Sequence, residues 1–263
     1  MVVSGKCIGL DKLNYKRNSM PDVSILFCLG LAVIAILYSS VGHGGASGYL
    51  ALLALTGFSP TVMKSTALIL NVFVSLIAFI QYYRTKNFNW AILVPLVIAS
   101  VPAAFYGGTI SLDTKIYKPI LGVILLFAAF RFFYSPHKTE LISTKVNVLI
   151  LLITGGIIGL ISGMIGIGGG VILSPIIILL GWADIKQTAG ISALFIFLNS
   201  LAGLGGNLLN GINYNPGMFM MIAFAICGGF IGSYLGSKYL LPSILKRVLA
   251  VVLVLASIKL ILP

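Results

Sequence analysis

Two glycine runs are the residues of this chain whose spacing could do chemistry. They are Gly42-His43-Gly44-Gly45 and, 124 residues later, Gly166-Ile167-Gly168-Gly169-Gly170. Each run closes one long apolar segment and opens a short one, over 46–57 and 170–181. A helix of about 12 residues is roughly 18 Å long, too short to cross a hydrocarbon core of about 30 Å. Glycine accepts positive φ and lets the backbone approach a neighbour or a ligand closely. A helix that starts just after such a turn aims its unpaired N–H groups and the positive end of its dipole at the turn. Two such ends at one place would make an anion site. The other use of these glycines is close packing of helices through small residues.

Side chains near the runs add to that chemistry. His43 is the ionisable residue inside a glycine run; it could bind an anion or carry a coupled proton, and its counterpart is Ile167. Lys64-Ser65-Thr66-Ala67 is matched by Lys186-Gln187-Thr188-Ala189 at an offset of 122 residues. Lys64 and Lys186 would place charge on an anion path, or snorkel to the interface. Thr66, Gln187 and Thr188 can donate to an oxyanion. Asn71, Ser192 and Asn199 lie deeper, where a polar side chain bonds to another helix or to a ligand. The expected substrate site is therefore Gly42, His43, Gly44, Gly45, Thr66, Asn71, Gly166, Gly168, Gly169, Gly170, Gln187, Thr188 and Ser192. No catalytic motif accompanies it: there is no Walker lysine loop, H-E-x-x-H or G-x-S-x-G. No enzyme activity, cofactor or metal is expected. Cys7, Cys28 and Cys227 show no metal-ligand spacing.

The elements that must position these residues are helices in lipid. Of 263 residues, 59% are hydrophobic and 8% charged. A soluble domain carries about 25% charged residues, so the apolar surface here has to face a membrane. Alternating strands are missing, which excludes a β-barrel. The expected fold is all-α, a polytopic transmembrane bundle. Ten helical segments are expected, over 23–41, 46–57, 60–84, 90–110, 115–134, 146–164, 170–181, 185–207, 215–235 and 242–262. They divide into a polar basic segment 1–21, a first repeat 22–134, a charged linker 135–145 and a second repeat 146–263. The first apolar run reads as a retained helix rather than a cleaved signal peptide.

The repeat rests on landmarks in the same order in both halves: the glycine runs, the Lys-x-Thr-Ala motifs, Asn89-Trp90 with Asn213-Tyr214, and Arg131 with Lys259. Each repeat holds five segments, one of them short and glycine-interrupted. An odd number of crossings turns the second copy upside down, and inverted repeats with paired short segments mark secondary transporters with a site near the midplane.

The net charge of +12 comes from Lys and Arg in short loops between apolar runs. Such charges set topology and touch headgroups, so nucleic acid is not an expected partner. Loop charge does not orient the chain: eight Lys and Arg fall on the side of the N-terminus and nine on the other. The acidic residues, Asp11, Asp22, Asp113, Glu140 and Asp184, all lie outside helix centres, which argues against a cation substrate.

The chain resembles the sulfite exporter TauE/SafE family of membrane permeases. The resemblance is carried by Val41-Gly42-His43-Gly44-Gly45, by Gly163 through Gly170, by Ser174-Pro175, and by Lys186-Gln187-Thr188-Ala189 leading into the stretch 192–199. It covers the chain from about Val23 onward. It implies transport of sulfur oxyanions or organosulfonates such as sulfite, thiosulfate, sulfoacetate or taurine-related compounds. The first repeat departs from the second in having Ala51 where Pro175 stands.

A secondary transporter for a small anion is thus expected in the cell membrane, working with a coupling ion, proton or sodium. An anion channel and a non-transporting scaffold subunit are the alternatives. The sequence leaves oligomeric state and transport direction open.

Overall fold

Among the described residues every regular element is an α-helix. The computed structural model describes residues 23–86, 88–133, 146–211, 216–239 and 243–262. The basic segment 1–21, the linker 135–145 and the Asn213-Tyr214 landmark lie outside the described residues. The helices are α1 (Ile25–Ser39), α2 (Ala46–Leu55), α3 (Pro60–Arg84), α4 (Trp90–Thr109), α5 (Thr114–Phe133), α6 (Val148–Ile165), α7 (Gly170–Leu179), α8 (Ile185–Leu208), α9 (Met218–Lys238) and α10 (Ser243–Ile261). The expected ten segments are all present, with ends moved by up to three residues. Of these helices, α3, α4, α6, α8 and α9 are long and apolar enough to cross a membrane. Both short helices have ten residues, shorter than the expected apolar runs.

Local chemistry sets the starts. Ser24, Asn89, Asn147 and Asp184 each accept a first-turn backbone N–H, capping α1, α4, α6 and α8. Pro60 opens α3, where its missing N–H costs nothing. By contrast α2 and α7 start from glycines with no side-chain cap.

The surface is apolar and the interior carries the polar side chains. Leu26, Val33, Ile98, Phe130, Ile157 and Phe219 are exposed, whereas His43, Lys64, Thr66, Asn71, Ser174, Ser192 and Asn199 are buried. Lipid can solvate the first group and cannot satisfy the second.

Packing exchanges the halves. α4 packs on α6 and α8, and α9 on α1 and α3; α3 meets α8, and α5 meets α10. Gly155, Gly159 and Gly163 of α6 lie on the backbone of Leu96, Ser100 and Ala104 of α4. Gly228, Gly232 and Gly236 of α9 lie in the same way on Ala32 and Ile36 of α1 and on Ser40 just past its end. Spacing of four residues on both partners lets these backbones touch. At the centre, α3 and α8 cross antiparallel, because Ser65 bonds Asn207 while Asn71 bonds Ser200. Opposite directions for the two third helices are what an inverted repeat requires.

Candidate functional site

The chain leaves α1 through Gly42 (φ +75) and Gly45 (φ +97), and leaves α6 through Gly166 (φ +89), Gly168 (φ +71) and Gly169 (φ +80). These left-handed conformations favour glycine. They reverse the chain at the depth of the α3–α8 crossing, so that α2 and α7 begin inside the protein. Ala46, Ser47, Gly48, Gly170, Val171 and Leu173 are buried.

Each turn packs on the long helix of the other half. Gly42 lies on the backbone of Ala189 in α8. Gly166 lies against Lys64 in α3, where a β-carbon would stand 3.2 Å from the Lys64 Cα. The two middle glycines converge. A β-carbon on Gly44 would meet the Asn71 amide and come within 3.1 Å of Ile196 Cγ2; one on Gly168 would lie 2.6 Å from Asn71 Nδ2 and 2.8 Å from the same Ile196 atom. Asn71 therefore sits between the two turns, fully buried. Its Nδ2 donates to the Ile167 carbonyl at 3.5 Å and to Ser200 Oγ at 3.4 Å, and its Oδ1 accepts nothing among the described residues.

His43 ties the first turn to the second short helix. Its Nδ1 is 3.0 Å from the Val41 carbonyl, and its Nε2 is 3.1 Å from the Gly170 carbonyl and 3.0 Å from Ser174 Oγ. Ser174 continues to Ser192 Oγ at 2.7 Å. A string of side chains thus runs from the α1–α2 turn through α7 to α8.

Thr66 is completely buried five residues before Asn71 on the same helix, and its hydroxyl has no partner among the described residues. An orphaned buried hydroxyl costs about 1–3 kcal/mol and calls for a use.

The remaining expected residues divide. Lys64 is buried, and its ammonium donates to the carbonyls of Gly108 at 3.1 Å and Ile110 at 3.2 Å, at the C-terminal end of α4. It balances the negative end of that helix. Lys186 is exposed, on the first turn of α8. Gln187 is half-buried beside it, and Thr188 is buried with its hydroxyl donating to Ala183 at 3.4 Å. Thr188 directly precedes Ala189, the residue on whose backbone Gly42 lies. Asn199 binds Ser100 at 3.0 Å, joining α8 to α4.

Ser174 and Ser200 belong to the cluster and stand outside the expected set. Their signal was positional: Ser174 is one turn past Gly170, and Ser200 is eight residues, two turns, past Ser192.

The comparisons with known proteins agree with a membrane carrier. A "Probable membrane transporter protein" of Sinorhizobium fredii is 38% identical over 248 residues, 92% of this chain and 99% of its own length. Another of Methanocaldococcus jannaschii is 28% identical over 199 residues, 70% of this chain and 73% of its own. No solved structure gives a significant match. The sequence profile of the family described as "Sulfite exporter TauE/SafE" matches residues 26–260. The chain, a multi-pass membrane protein, belongs to the sulfite exporter TauE/SafE family of membrane transporters.

Proposed function

We propose that this transporter carries a small anion of the sulfur oxyanion or organosulfonate class, bound where the two glycine turns meet. The observation that carries the reading is the convergence of Gly44 and Gly168 on one buried amide, Asn71. That convergence puts the N-terminal ends of two uncapped short helices, one from each half, at the same place. Their first-turn N–H groups and dipoles favour negative charge. Asn71 Nδ2, the Thr66 hydroxyl, Ser174 and Ser192 supply further donors, and a tetrahedral oxyanion accepts several at once. Residues 42–45 and 166–170 form the cradle. The family's description points to sulfite.

The site lies between two halves whose third helices run in opposite directions. Rocking one half against the other would expose it to each side in turn, as in inverted-repeat carriers. A coupling ion and the surrounding bilayer complete the working set.

The test is thermal unfolding of the detergent-purified protein against sulfite, thiosulfate, sulfoacetate, taurine, sulfate and chloride. A ligand that binds the folded state alone raises its apparent stability by mass action. A shift with a sulfur oxyanion or sulfonate, absent with chloride, is expected. Equal shifts with every anion would remove the sulfur class, and no shift with any would remove the site.

A further inference from the structure

The His43 ring stands between acceptors on both sides. The Val41 carbonyl faces Nδ1 and the Gly170 carbonyl faces Nε2, each within hydrogen-bond distance. A carbonyl can only accept. A neutral ring with its proton on Nδ1 satisfies Val41 and turns a lone pair at Nε2 toward Gly170. Ser174 Oγ lies 2.9 Å from the Gly170 carbonyl, to which it donates, and 3.0 Å from Nε2, so its one O–H can turn from that carbonyl to the lone pair. A charged ring donates from both nitrogens and satisfies both carbonyls. Ser174 is then released to donate to Ser192 Oγ, 2.7 Å away. The geometry serves both protonation states, and the difference between them falls on the bond that joins the first glycine turn to the first residue of α7.

We propose that His43 is the proton-binding site of this carrier and that a proton on Nε2 accompanies the anion. The inference rests on the anion reading above and names its coupling ion. The proton adds to Nε2 from water, and the Ser174 O–H turns from Nε2 to Ser192. The ring gains a positive charge beside the N-terminal end of α7, where the anion is held. Anion and proton therefore favour each other's binding, by linkage.

The titratable groups on the surrounding elements fit this role. On α1 they are Cys28 and Tyr38, whose ring centroid is 6.4 Å from that of His43. On α2 the group is Tyr49, beside Gly45. On α3 they are Lys64, occupied with the α4 carbonyls, Tyr82, whose hydroxyl donates to the Ser40 carbonyl at 2.6 Å, and Tyr83 and Arg84. α7 carries none, and α8 carries the exposed Lys186. None of these five helices contains Asp or Glu, so a substrate anion is the opposite charge that the site gains during turnover.

Two measurements test this. The chain has two histidines, so a His137→Gln background leaves one ring to observe. With 15N-labelled histidine in that background, nitrogen NMR in lipid vesicles should show the ring of His43 passing from neutral to doubly protonated between about pH 8 and pH 5. A ring that stays in one state throughout overturns the proposal without reference to any substrate. In the second, vesicles containing a pH-reporting dye are given an inward thiosulfate gradient at equal pH. Thiosulfate stays a dianion in this range, so a proton that enters is not its own. Wild-type vesicles should acidify inside, and an imposed pH gradient should drive thiosulfate accumulation that a protonophore abolishes. His43→Gln should lose both the acidification and the pH-driven accumulation. Wild-type exchange without acidification, or acidification by His43→Gln, overturns the coupling. Absence of any thiosulfate exchange in the wild type overturns the sulfur-anion reading and with it the coupling, while the NMR result decides the proton site by itself.

Discussion

Gly168 stands so close to Asn71 that a β-carbon on it would lie 2.6 Å from the amide nitrogen. The same glycine has φ +71. Gly168→Ala therefore meets both a strained backbone and a buried side chain that packing holds in place. Gly57 separates the two costs, since it has φ +86 with open space around its Cα. Gly57→Ala should lose about 1 kcal/mol from left-handed backbone and keep transport. Gly168→Ala should lose clearly more and abolish anion protection. Thermal unfolding of both variants, with and without thiosulfate, reads the difference; equal losses would mean that Asn71 moves aside freely.

The hydrogen bonds of Asn71 are long for a buried amide, with donor distances of 3.4 and 3.5 Å and an oxygen that accepts nothing among the described residues. Bonds that long contribute little. Asn71→Leu, similar in size, should change stability by less than about 1 kcal/mol. It should nevertheless remove the thermal shift given by the bound anion. A large loss of stability with the shift intact would make Asn71 a packing residue.

Thr66 and Thr188 occupy matching positions and should respond differently. The Thr66 hydroxyl has no partner among the described residues, so Thr66→Val should hold or raise stability while weakening anion protection. The Thr188 hydroxyl already serves the Ala183 carbonyl. Thr188→Val should cost a little stability and leave anion protection unchanged. The paired melting curves check both; reversal of the two results would move the site toward α8.

Lys64 and Lys186 also match in sequence and part in structure. Lys64 satisfies two carbonyls at the end of α4. Lys64→Met leaves them unpaired and should destabilise the protein by about 3 kcal/mol. Exposed Lys186→Met should stay within about 0.5 kcal/mol. Denaturant or thermal unfolding of the two variants in one detergent measures this, and equal effects would contradict the buried role of Lys64.

Much of the architecture was legible in the residues. Hydrophobic length fixed the solvent as lipid and the elements as helices, because no other open structure satisfies its backbone there. The glycine runs marked both chain reversals, because only glycine relieves the steric cost of their backbone angles. The glycine runs and the Lys-x-Thr-Ala motifs recur at offsets of 122 to 124 residues. These are local properties, set by each segment's own composition. Docking decided the rest. That Gly44 and Gly168 share Asn71, that His43 reaches Ser174, and that Lys64 is buried while Lys186 is exposed all depend on how two similar halves cross. Sequence spacing gives the face of a helix on which a residue lies. Which partner meets that face is set by the helix that packs there.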